Sequence, residues 1–267
     1  MSAVCPWFEP RLNLRDCRSL RNLLLASRLK RPLIIPDELH RNAPEVHVAG
    51  PEHTGSTLIQ LALRRLGLND LFGCDVLDVG CGVRFTQAII NRDIPIKSYT
   101  GIDVHSPLIE YLRREVDDPR FSFAHWDVEN ARYNRGGVKM TPESSLPIQG
   151  RFDVIWLFSV FTHLDPSDAN SLLAILRRYV RPGGALFFSA FLDNAIDTFE
   201  ARIPERPLDH PCYSEKYMRE LATKNGWNVS SVDGPEQFIQ HHLVCRPSAE
   251  PWLVSSKPLS RLVDDNN

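Results

Sequence analysis

From Leu71 onward, short apolar runs alternate with segments whose apolar residues recur at helical spacing. The runs at 75–79, 98–103, 120–126, 152–157, 185–191, 227–232 and 238–245 read as strands. Between them, Leu108, Ile109, Leu112 and Val116 share one helical face behind Ser106 and Pro107, which read as a cap and a first helical position. Asp165 and Pro166 repeat the device ahead of Leu172, Leu176, Tyr179 and Val180. That helix is expected to stop at "RRYVRPGG", where cations suit the C-terminal dipole and Pro182-Gly183 break the pattern. Ser214 opens a further helix and Gly226 closes it. Strand–helix alternation implies parallel pairing with helices on both faces, and near-continuous apolar strands fit a sheet that meets water on neither side. Only "SSVDGPEQ" separates the last two strands, so they should be antiparallel neighbours. The expected fold is α/β: a doubly wound, seven-stranded, mostly parallel sheet with an antiparallel last strand and an N-terminal helical extension.

Three segments fall outside this rhythm. Residues 11–31 carry seven cations against Asp16. Residues 129–150 read as a polar loop, and residues 193–212 carry Pro204, Pro207 and Pro211 just after the fifth strand. The resulting division is 1–50 as extension, 51–247 as the main domain and 248–267 as a tail.

Composition narrows the function classes. The 267 residues hold 31 basic and 33 acidic side chains, a net charge of -2, which gives no electrostatic footprint for nucleic acid. Six cysteines occur without a C-x-x-C pair, which fits a reducing compartment, and a cytoplasmic location is expected. The longest apolar run, about "GALFFSAFL", is too short to span a bilayer. The basic stretch 11–31 is the candidate for peripheral contact with an anionic membrane surface or an acidic partner. His40, His47 and His53 lack cysteine or acidic companions at ligand spacing, so no metal is expected.

The stretch "VLDVGCGVRF", residues 76–85, is the densest chemical signal. Gly80 and Gly82 strip side chains from the turn after the first strand, where an open α/β sheet binds its ligand. A dinucleotide fingerprint needs a small residue at position 85, and this chain has Phe85. Asp78 would also repel a pyrophosphate. A ligand that is cationic near the turn suits these residues better.

"LDVGCG", followed by "GIDV", "WDV", "FDVIWLFSVFTHL" and "RPGGALFF" in that order, resembles class I S-adenosylmethionine-dependent methyltransferases, in particular the bacterial methyltransferase type 11/12 group. The resemblance spans about 75–245. It implies a Rossmann-like fold in 51–247, S-adenosyl-L-methionine as cofactor, and methyl transfer as activity. It places Asp78, Gly80 and Gly82 at the first motif. Asp103, 23 residues after Gly80, goes to the ribose hydroxyls with Val104 beside it. Asp127 goes to the adenine amino group, the Val128 backbone to the ring, and Phe158 and Ser159 to the methionine part. The chain departs from the family's G-x-G-x-G at Arg84: either the turn is one residue shorter, with Arg84 and Phe85 standing where Arg-Phe often follows the third glycine, or Arg84 replaces that glycine.

Acceptor chemistry is less defined. His163 follows the fourth strand and reads either as a general base on an acceptor hydroxyl or as a residue that orders its loop through a backbone contact. Arg202, Arg206 and His210 are candidates for binding a hydroxylated or anionic acceptor, and Phe199 and Ile203 for covering an apolar one. The fourth strand lacks the Asn/Asp-Pro-Pro-aromatic motif of enzymes that methylate nucleobases or glutamine amides. The expected reaction is O-methylation of a small-molecule, sugar or lipid-linked acceptor. The alternative is a methyltransferase-like binding module without catalysis; a nicotinamide-dependent oxidoreductase is disfavoured by Asp78 and Phe85.

Overall fold

The structure, a computed structural model, describes residues 31–40, 49–130, 133–203, 205–235 and 239–249. The basic stretch, apart from Arg31, lies outside these residues, as does the tail beyond residue 249. Five helices and nine strands follow one another among the described residues. Helix α1 (Pro51–Leu66) precedes β1 (Leu71–Val79), α2 (Arg84–Asn91), β2 (Ile96–Asp103), α3 (Ser106–Glu115), β3 (Phe121–His125) and β4 (Phe152–Leu157). Then come α4 (Pro166–Arg177), β5 (Val180–Leu192), β6 (Phe199–Glu200), β7 (Cys212–Tyr213), α5 (Glu215–Lys224), β8 (Trp227–Asp233) and β9 (His241–Pro247).

The main sheet runs β3-β2-β1-β4-β5 in parallel, and β9 then pairs antiparallel with β5 and with β8. Strand order therefore reverses between β1 and β4, the crevice where ligands of doubly wound sheets sit. The antiparallel last strand agrees with the sequence pattern. Two short strands were not expected: β5 passes from β9 to a new neighbour at its end, where Phe191 and Leu192 pair with Cys212 and Tyr213 of β7.

Caps follow the local chemistry. Asp165 accepts from the Asp168 N–H at 2.8 Å, and Ser214 from the Tyr217 N–H at 3.1 Å. Ser106 is not a cap: His105 holds that position, and the Ser106 hydroxyl bonds Glu110 within the helix. Nor do Pro182 and Gly183 stop α4, which ends at Arg177; they lie inside β5, where the register with β4 shifts between Phe152 and Val154.

The sheet separates two cores. Val76, Val154, Trp156 and Phe187 face α1, α2 and α3, whereas Leu77, Ile155, Leu157 and Phe188 face α4 and α5. Successive residues of one strand point to opposite faces, so this alternation fixes where each side chain near the crevice points.

Candidate active site

The turn after β1 is built from positive-φ glycines, Gly80 at 71° and Gly82 at 49°. The N–H groups of Gly80 and Cys81 donate to Ile102 O at 2.8 and 3.0 Å, which ties the turn to β2. A Cβ on Gly80 would lie 2.6 Å from Val160 Cγ2, so a side chain there is both strained and blocked. A Cβ on Gly82 would meet nothing within 4 Å, because that glycine borders open cavity.

Asp103, the last residue of β2, is held from two sides. The Gly82 N–H donates to Oδ2 at 3.0 Å and the His105 N–H to Oδ1 at 2.9 Å. Burial raises its pKa, and these backbone donors oppose the rise. Each oxygen retains a second lone pair, so the carboxylate can accept two further hydroxyl donors from a ligand.

The glycine turn and Asp103 open onto a cavity of about 900 Å³ across the carboxyl ends of β1, β2 and β4. Val104, Trp126 and Val128 form its wall on the β3 side, and Phe158 and Ser159 on the β4 side. The group implied by the resemblance, S-adenosylmethionine, fits these residues: a side-chain-free turn, a carboxylate with spare acceptor capacity and an apolar wall beside it. Of the residues expected at the cofactor, Gly80, Gly82, Asp103, Val104, Val128 and Phe158 line this one cavity.

Asp78 and Asp127 do not. Asp78 shares the strand face of Val76, so its carboxylate points under α2 into the core and is fully buried. The Tyr99 hydroxyl donates to its Oδ2 at 2.5 Å. Burial pushes its pKa up to about 7, against the lowering pull of Tyr99, Trp156 and the Arg84 charge. It therefore lies beneath the turn and does not line the cavity. Asp127 is exposed, and its Oδ1 accepts from Asn134 Nδ2 at 2.8 Å, which anchors the 129–150 loop.

The cavity also takes in residues that follow β4. His163, on a 3-10 turn at Phe161–His163, lines it, with Nδ1 3.0 Å from Leu208 O and the ring edge-on to Tyr133. Because a carbonyl only accepts, Nδ1 carries the proton in this contact. His163 thus both ties the 193–212 excursion to the sheet and faces the cavity. His210 also lines it, at φ 61° and against the Phe191 ring. Arg202 and Arg206 do not reach it: Arg202 pairs with Asp193, and Arg206 with Asp209 at 2.8 Å. Phe199 and Ile203 do not line it either; Phe199 packs on Tyr213 in the β6–β7 hairpin.

Several lining residues carried no sequence signal. Leu39 comes from the strap before α1, and Asn130, Tyr133 and Met140 from the polar loop. Gln240 precedes β9, and its amide oxygen accepts from Ser159 and Ser189 hydroxyls at 3.2 and 2.6 Å. Ser159 itself adopts φ 58°. These partners lie 81 and 51 residues from Gln240, beyond any local pattern.

Comparison with known proteins agrees with this geometry. A family model described as "Methyltransferase domain" matches residues 25–232. The chain is 29% identical over 204 residues to the malonyl-(acyl-carrier protein) O-methyltransferase of Halalkalibacterium halodurans, covering 70% of this chain and 69% of that protein. The protein of the same name from Priestia megaterium is 24% identical over 187 residues, covering 70% of this chain and 57% of its own length. Among solved structures, the glycopeptide N-methyltransferase MtfA complexed with sinefungin superposes with a TM-score of 0.53. At 13% identity, over 81% of this chain and 100% of that one, the likeness is one of fold.

Proposed function

This chain belongs to the methyltransferase-domain family, and from that premise we propose that it methylates an oxygen of a small acceptor with an apolar body, free or linked to a lipid or carrier. S-adenosylmethionine, when bound, supplies a methyl group already activated by its positively charged sulfur. The task left to the protein is alignment and exclusion of water, and alignment alone is worth up to roughly 7–11 kcal/mol. Asp103 would take the ribose hydroxyls, Trp126 and Val128 would flank the base, and the backbone of the glycine turn would follow the remainder.

The observation that carries the oxygen assignment is the placement of His163. Its imidazole shares the cavity with Asp103, and its Nδ1–H is committed to Leu208 O. In that tautomer Nε2 is the basic nitrogen of a ring that lines the cavity, and removal of a hydroxyl proton calls for such a base. Met140, Leu164, Leu172, Phe191 and Ile239 give the acceptor region apolar walls, while Asn130 and Tyr133 supply polar groups for orientation. The names of the two curated relatives support oxygen as the methylated atom and a carrier-linked acceptor.

The test is incubation of the purified chain with methyl-labelled S-adenosylmethionine and an extract from cells lacking the gene. Label on oxygen of an apolar metabolite or acyl carrier is expected; label on nitrogen or carbon, or no label, overturns the reading. His163→Ala should lower kcat about 100- to 1,000-fold. Affinity for S-adenosylhomocysteine should stay within about threefold. If activity falls only in step with Tm, His163 is a loop anchor and not the base.

A further inference from the structure

Arg84 follows the glycine turn, two residues after Gly82, and is the first residue of α2. A cation in the first turn of a helix opposes the macrodipole. Burial adds to the cost and pulls the Arg84 pKa down, while the charge of Asp78 raises it. Asp78 is a weak partner, since its own burial leaves it only partly ionised near neutral pH. The placement is unfavourable for the empty fold, which points to a ligand that offsets it.

The backbone explains why glycine is dispensable at this position. Residue 84 is not among the positive-φ positions, so no left-handed conformation demands it. The close approach at this point is made by α1 and not by residue 84. A Cβ on Gly55 of α1 would lie 2.2 Å from Arg84 O. The side-chain position at 84 is thereby released, and Arg84 is among the residues that line the cavity. Among the described residues lining the cavity, Arg84 alone carries a guanidinium or ammonium group.

Direction follows from the walls. Asp103 marks the ribose, and Trp126 and Val128 lie beyond it on the β3 side. The other end of the ligand must cross the glycine turn toward Arg84 and Phe158. Phe85 holds this end of α2 in place, packing on Phe158 and Trp156 at ring distances of 5.0 and 4.9 Å. We propose that Arg84 is the anchor for the carboxylate of the cofactor's amino-acid end, gripping it with its planar fork. This rests on the S-adenosylmethionine reading above.

Calorimetry with ligands that differ in this group tests it. Arg84→Gln should weaken S-adenosylhomocysteine about 10- to 100-fold while 5′-methylthioadenosine, which lacks the amino-acid end, changes less than about twofold. Arg84→Lys should fall between wild type and Arg84→Gln. Equal losses for both ligands, or no loss for either, overturn the assignment. Unchanged cofactor affinity with a raised acceptor KM also overturns it, and gives Arg84 to an anionic acceptor. The wild-type protein provides a test independent of folding defects. It should bind S-adenosylhomocysteine at least about tenfold more tightly than its decarboxylated analogue, and equal affinity refutes the carboxylate contact. If neither S-adenosylhomocysteine nor 5′-methylthioadenosine binds wild type, the cofactor reading itself falls.

Discussion

Asp78 and Asp103 both sit at strand ends beside the same glycine turn, yet they face different surroundings. Asp103 borders the cavity and is held by two backbone N–H groups. Asp78 lies beneath the turn, where burial pushes its carboxyl up to about 7 from an ordinary value of 3.8. Between pH 4 and 7 the folded chain keeps a proton that the unfolded chain has lost, so stability falls as pH rises through this window. The displacement corresponds to on the order of 4 kcal/mol. Asp168, pushed up to about 6 by burial and by Asp165, acts in the same direction. Asp75, lowered to about 2, works oppositely, but only in acid below that window. Asp78→Asn should therefore flatten the Tm profile between pH 5 and 8 and raise Tm at pH 8. A variant that keeps the wild-type slope would show that Asp78 is ionised in the folded state. The acidic strand end was legible in the sequence; which face it occupies was not, because the pleat assigns sides only once the strand is paired.

At the scale of elements, the excursion after β5 is a pinned structure. The β6–β7 hairpin extends β5, Tyr213 OH donates to Leu164 O at 2.7 Å, and Leu208 O receives His163 Nδ1 at 3.0 Å. Its arginines are consumed by Asp193 and Asp209, so its contribution to the cavity is His210 and the orientation of His163. Replacing 195–208 with a short Gly/Ser linker removes β6 and the His163 latch but spares Asp103 and the glycine turn. Binding of S-adenosylhomocysteine should remain close to wild type while turnover drops at least about tenfold. Retained turnover and acceptor preference would move specificity to the 129–150 loop. The prolines announced an irregular segment; the strand pairing that holds it involves residues about twenty positions from β5 and leaves no local periodicity.

Across the whole molecule, the strap at 31–40 packs against α2 and reaches the cavity through Leu39. Leu33 and Ile35 are buried, and Asn91 on α2 acts as a substitute strand edge. Its Oδ1 accepts from Leu33 N at 2.7 Å, and its Nδ2 donates to Leu33 O at 3.1 Å. Leu39, further along the strap, lines the cavity. Asn91→Ala should cost about 1–3 kcal/mol. It should also speed hydrogen exchange at 33–39 and weaken S-adenosylhomocysteine a few-fold without changing kcat. Unaltered exchange in this segment would show that the strap is held by apolar burial alone.

The order of the seven main strands, the helices after β2, β4 and β7, the antiparallel last strand, the caps at Asp165 and Ser214, and the glycine turn followed by Asp103 were all determined by the sequence itself. Each depends on neighbours a few residues apart, through hydrophobic period, capping chemistry or backbone freedom. Tertiary structure alone decided the rest. It turned Asp78 inward and Asp127 outward, paired Arg202 and Arg206 with nearby acids, and brought Leu39, Tyr133, Gln240 and His242 to the same cavity as the glycine turn. Those outcomes depend on which distant surfaces meet when the two faces of the sheet are covered. A side chain's role there is set by what it is packed against, and residues dozens of positions apart carry no common pattern along the chain.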